Sequence, residues 1–394
     1  MKNNPEKIFA ARWALPITAP PIEWARILVR KGKIEEIKIG KPEPLDINLG
    51  TAIITPALVN AHTHLDLSGF QQRFSMGIDF ISWVEQVIEY RSKRDEVSIL
   101  KDIQQGIDQS LRHGVGLVGD ISGVGLSRDV LKESKLAAVV YFELLGLKEA
   151  RGNFFWKSFQ DWLRTGVDSE KLKHGVSPHA PYSVSKDLFI KSVQSGLPLQ
   201  MHFAETFLEM ELFESRNGRF RKWLESRDVF EETRLVESHQ VIFDSLSRLN
   251  LGALVHGTRW NGFEVKSNLI FCPRTAALFD QGKHPYEKMR KSGWKIALGT
   301  DGLASNPDLS VLNEARFLKK ENPSFNSNEL LRMISINGAE ILGMENQFGS
   351  LAKGKNASFS IFSCEDCDDH LPEDFLLSSD ACCSGMVVDG EFVF

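Results

Sequence analysis

Cysteine is scarce in this chain, five in 394 residues, and the count is odd. Cys272, Cys364, Cys367, Cys382 and Cys383 offer no framework for a disulfide-stapled fold, and free thiols are the expectation at this size. A structural zinc on Cys364, Cys367, Cys382 and Cys383 is the less favoured alternative, because adjacent cysteines make a poor tetrahedral pair. Long apolar runs are missing too. None approaches the length that spans a bilayer, and the opening Met1–Lys7 lacks the apolar core of a signal peptide. A cytoplasmic location and no membrane partner are therefore expected. Nor is there an excess of positive charge: the net charge is −5 with both signs interspersed, which gives no electrostatic case for nucleic acid. Finally, no His-x-Glu occurs and Ser363 precedes Cys364, which excludes the His-x-Glu with Pro-Cys-x-x-Cys signature of zinc nucleobase deaminases.

What is present begins with His62-Thr63-His64, at the end of the apolar, β-favouring run Thr55–Ala61. In a strand, side chains at i and i+2 share a side, so both imidazoles can reach one cation. Alone, a His-x-His is weak evidence. Three later runs repeat the pattern, each placing His or Asp after a short apolar stretch: Leu199–Glu205 with His202, Ala253–Thr258 with His256, and Ile296–Asp301. Such runs read as strands buried on both faces, as in parallel sheets with helices outside.

Further strand-like runs at Gly116–Asp120, Ala137–Leu145, His174–His179 and Asn268–Pro273 bring the count to eight, enough to close a barrel. Amphipathic segments lie between them, such as Ile99–His113 with Ile103, Ile107 and Leu111 at helical spacing, and Ser310–Lys319 before a polar insert at Lys320–Asn328. The expected fold class is α/β: a (β/α)8 TIM-like barrel over residues 56–349, where chemistry sits at the C-terminal strand ends. The chain ends read differently. Trp24–Arg30 and Ile34–Ile37 around Lys31-Gly32-Lys33, and Ser358–Phe362 with Gly385–Phe394 turning at Asp389-Gly390, read as hairpin strands. Residues 1–55 plus 350–394 are expected to form one small β-sandwich domain.

Taken together, His62-x-His64, His202 with Glu205 three residues on, His256, Leu298-Gly299-Thr300-Asp301, Ser177–Tyr182 and Leu303–Ser310 resemble the amidohydrolase superfamily, in its deaminase branch acting on aminated heterocycles. The resemblance runs nearly end to end. It implies one metal held by His62, His64, His202 and Asp301, with Glu205 as the proton-transferring carboxylate and His256 as an imidazole on the attacking water. Zinc is favoured and ferrous iron suits the same donors. Independently of any family, three neutral imidazoles and a carboxylate leave a divalent cation net positive, so the pKa of its water falls toward neutrality. A carboxylic acid beside that water can carry protons to a ring nitrogen and to departing ammonia, and Asp301 can serve both as ligand and as catalytic acceptor of the water's proton.

Four residues are candidate substrate contacts. His179 follows the fourth strand, where binuclear relatives would carry a modified lysine, which favours a single metal here. Trp83 and Glu85 lie in the segment after the first strand, where an aromatic can stack on a heterocycle or serve as helix core. Arg274, in Cys272-Pro273-Arg274-Thr275-Ala276, either reaches an anionic or carbonyl group or forms a surface ion pair. His113 and His239 read as solvated, His284 and His370 as loop residues without partners, and His174 as structural, at the wrong strand end. The leading expectation is a deaminase of a 6-aminopurine nucleoside derivative such as aminodeoxyfutalosine, S-adenosylhomocysteine or methylthioadenosine. Hydrolysis of a cyclic amide or chlorinated triazine, and a metal-binding protein without catalysis, remain the alternatives. The partner is a small heterocycle, with a homo-oligomer open.

Overall fold

The computed structural model describes residues 6–70, 74–364, 371–378 and 381–394. Eight parallel strands form one sheet in sequential order: Leu58–Thr63, Val115–Ser122, Ala137–Leu144, Leu172–Pro178, Leu199–Phe203, Gly252–His256, Asn268–Phe271 and Lys295–Leu298. Their runs of Val, Ile, Leu and Ala are buried on both faces, which only a sheet covered by helices allows. Closure joins the first and eighth strands. Thr300 and Asp301 both donate their amides to the His62 carbonyl, and Asn60 and Thr300 exchange two hydrogen bonds. Gly299 permits this approach, since a Cβ there would lie 2.8 Å from the His62 carbonyl oxygen.

Helices wrap the barrel. Glu96–Arg112 starts at the Asp95 cap, which accepts from the Ser98 amide, and buries Ile103, Ile107 and Leu111. Val311–Glu321 is capped by Ser310, so the helix expected from Ser310 to Lys319 is displaced by its cap. The segment expected as a polar insert contributes the end of that helix and, from Ser327, the start of the helix Ser327–Met333.

Both chain ends build a second, mixed sheet. Ala52–Pro56 lies at its centre, parallel to Lys7–Ala14 and antiparallel to Phe359–Ser363. Lys31 and Gly32, and likewise Asp389 and Gly390, take positive φ at the tips of its two hairpins, the geometry of a two-residue type I′ turn. Phe9, Ile27, Phe359 and Val387 form its own buried core. The cysteine expectation needs correction: Cys364 is disulfide-bonded, whereas Cys272 and Cys383 are free thiols. Cys367 and His370 lie outside the described residues. No helix among the described residues is long and apolar enough to cross a membrane.

Candidate active site

At the C-terminal ends of the barrel strands, the ligand atoms of His62, His64, His202 and Asp301 all lie within 4.8 Å of one another, and all four residues are buried. Among the described residues no other group of three or more His, Cys, Asp or Glu offers such a set. The tautomers are fixed from behind. Gln200 donates its amide to the Ala61 carbonyl, so its oxygen accepts from His62 Nδ1 at 2.9 Å, and His62 Nε2 is left a buried acceptor with no partner. His202 Nδ1 donates to the His179 carbonyl at 2.8 Å, which likewise frees its Nε2. His64 Nε2 stands 3.4 Å from both His202 Nε2 and Asp301 Oδ1. Ser305 donates to the other Asp301 oxygen at 2.5 Å. Free lone pairs on imidazoles packed this closely repel unless a cation shares them, so the donor set fits one divalent metal.

Electrostatics agree. Burial pushes His64 down to about 3 and His202 well down, keeping both neutral as ligands must be. Asp301 is the reverse. Burial opposes its charge, but the surrounding imidazoles of His62, His64 and His256 hold it well below the usual carboxylate range. Three residues at the strand ends, Ala204, His256 and Asp301, take positive φ without being glycine. Such strain gathers at functional sites, and Glu205, His256 and Asp301 all line the mouth of the barrel.

Glu205 and His256 stand beside the donor set, with Glu205 Oε1 3.6 Å from His256 Nε2. Burial raises the Glu205 carboxyl well above its ordinary range, an effect that the Asp301 charge reinforces. Burial also lowers His256 to about 3. Burial thus favours a protonated Glu205 opposite a neutral His256.

Two histidines read as solvated or unpartnered prove to be buried supports. His239 Nε2 lies 2.8 Å from Glu209 Oε1, and Glu209 accepts the Ala204 and Glu205 amides at 2.9 and 3.0 Å, fixing the turn that carries Glu205. His284 donates Nε2–H to the His256 carbonyl at 2.6 Å and accepts from the Tyr286 amide. His113 is partly buried rather than solvated. His174 bonds Asp168, away from this mouth.

A cavity of about 540 Å³ opens over the donor set. Its floor is His64, His202, Glu205, His256 and Asp301, and its walls include Leu67, Phe80, Val84, Leu147 and Trp223. His179 lines it with Nδ1 2.7 Å from Ser183 Oγ. Trp83 lines it as well, while its Nε1 donates to the Ala304 carbonyl and its ring packs on Phe80 and Phe279. Two candidates are turned elsewhere. Glu85 is exposed and accepts from Trp223 Nε1, and it is not part of the lining. Arg274 grips Asp308 with both terminal nitrogens and Glu314 with Nε, so it forms a partly buried ion-pair cluster outside the cavity. The sequence reading missed Gln200, Glu209 and Glu143. Gln200 and Glu143 are polar residues inside apolar barrel strands, which is the signal that marks them, whereas Glu209 lies in the helix Phe207–Ser215 and carries no such signal.

Over residues 53–393 the chain matches the amidohydrolase family. It belongs to that family. An adenosine deaminase of Helicobacter pylori is 31% identical to this amidohydrolase, over 79% of each chain. An aminodeoxyfutalosine deaminase of a Nitratiruptor species is 27% identical, over 79% of this chain and 78% of its own. The solved structure of H. pylori aminofutalosine deaminase in complex with methylthio-coformycin superposes with a TM-score of 0.82 at 25% identity, covering 98% of this chain and 100% of that one.

Proposed function

We propose that this amidohydrolase is a metal-dependent hydrolytic deaminase that releases ammonia from a 6-aminopurine nucleoside derivative. Aminodeoxyfutalosine, S-adenosylhomocysteine and methylthioadenosine are the candidate substrates, the first preferred. In this reading His62, His64, His202 and Asp301 hold one divalent transition metal, zinc before iron. Once bound, the metal lowers the pKa of a coordinated water toward neutrality. Glu205, kept protonated by burial, hands its proton to the purine ring nitrogen as water adds to the carbon; it then takes up the two protons that the water loses in turn, passing one to the departing amine and keeping the other. The carbon–nitrogen bond breaks, ammonia leaves and a carbonyl replaces the amine. His256 orients the water and opposes developing charge, and His179 and Trp83 hold the heterocycle.

The 3.6 Å approach of Glu205 to His256 beside the four-donor group carries this reading, because metal storage has no need of a neutral acid there. The deaminase names of the matched relatives favour it over triazine or cyclic-amide hydrolysis. Metal analysis of purified protein, coupled to an ammonia-release screen over adenosine derivatives, guanine, cytosine and pterins, tests it. Metal near one equivalent with ammonia from the adenosine derivatives is expected. Metal-free protein, or ammonia from none of these compounds, overturns it.

A further inference from the structure

The third barrel strand ends in a charged residue with no role so far. Glu143 is 1% exposed and lines the cavity. Its Oε2 accepts from Arg91 Nη1 at 2.9 Å, whereas its Oε1 is buried without any hydrogen-bond partner. His179 Nε2 stands 4.0 Å away, beyond hydrogen-bond reach. Leaving an ionised oxygen unpaired in a buried wall is costly, so its partner is expected to arrive with the ligand. The Arg91 guanidinium overrides burial and holds the Glu143 carboxyl down to about 2, so this oxygen only accepts.

We infer that Glu143 Oε1 accepts a hydrogen bond from a sugar hydroxyl of the substrate, making the enzyme specific for ribosylated over deoxy nucleosides. A neutral donor fits best, because the Arg91 guanidinium, paired with both Glu143 and Asp66, would repel an incoming ammonium. The amine being lost belongs beside Glu205, which rises from the fifth strand, so the donor at the third strand comes from another part of the molecule. A cavity of about 540 Å³ accommodates a nucleoside with a further substituent, and the hydroxyls are the neutral donors that the sugar offers. The inference rests on the nucleoside reading of the site.

Adenosine, 2′-deoxyadenosine and 3′-deoxyadenosine are compared for binding to the metal-loaded protein by calorimetry and, where ammonia is released, for kcat/KM. Wild-type protein is expected to prefer adenosine by at least about tenfold over one deoxy compound. Glu143→Gln should reduce that ratio to below about threefold. The double variant Glu143→Gln with Arg91→Gln removes the stranded cation and should show the same loss of preference if the single variant fails to fold. No discrimination in wild type, or an unchanged ratio in the folded variant, overturns the inference, since a purely structural Glu143 would weaken all three compounds alike. Because binding is read separately from turnover, absence of ammonia counts against deamination and not against the hydroxyl contact.

Discussion

Glu205 and His256 face each other across 3.6 Å, and burial favours the uncharged form of both, raising the carboxyl and lowering the imidazole. In the proposed function Glu205 is therefore an acid rather than a further metal ligand. Glu205→Gln keeps the shape and removes the proton. It should lower kcat by about 100- to 10,000-fold with metal content unchanged by elemental analysis. Loss of metal together with activity would instead mark Glu205 as a ligand.

Glu209 acts on the same chemistry from behind, through two backbone amides and His239. Glu209→Gln turns one acceptor oxygen into a donor that faces an N–H or the His239 ring. The expected result is about a tenfold fall in kcat with KM and metal content near wild type. A variant with unchanged kcat would remove Glu209 from the positioning of Glu205.

Arg274 illustrates a residue whose sequence context suggests substrate and whose structure shows a brace. With Glu314 fully buried, removing the guanidinium strands its carboxylate. Arg274→Met should cost about 3 kcal/mol in urea unfolding, while the ranking of substrates by kcat/KM stays the same. A changed ranking would restore it as a substrate contact.

His284 predicts an acid weakness. Burial lowers it to about 4, against an unfolded value near 6.5. Between those values only the unfolded chain takes up the proton, so stability is intact above pH 6.5 and falls as pH drops toward 4, by about 3 kcal/mol in full. In metal-free protein, His284→Gln should lose less stability than wild type between pH 7 and pH 5, read by urea midpoints. An equal loss would show that His284 does not carry the effect.

The donor set and the barrel were legible because each ligand sits at the end of an apolar run, where period and position both point to the mouth. The supports were not. His239 and His284 lie in polar surroundings along the chain, and only the third dimension places Glu209 and the His256 carbonyl against them. The run Thr55–Ala61 reads as one barrel strand starting beside the expected boundary at 55/56, yet Ala52–Pro56 pairs in the end sheet and Leu58–Thr63 in the barrel. Pro56 divides them, since proline lacks the amide that a continuous ladder needs. For Trp83 the sequence left stacking and core equal, and the ring both lines the cavity and packs on Phe80 and Phe279.

Because Ala52–Pro56 is flanked on one side by Lys7–Ala14 and on the other by Phe359–Ser363, order of synthesis constrains assembly. The early strands emerge from the ribosome long before the late one that covers their open edge. Until then that edge is a template for unwanted pairing. The nascent chain must wait for its own tail, and cutting that tail away would expose a sticky flank rather than merely shorten the protein.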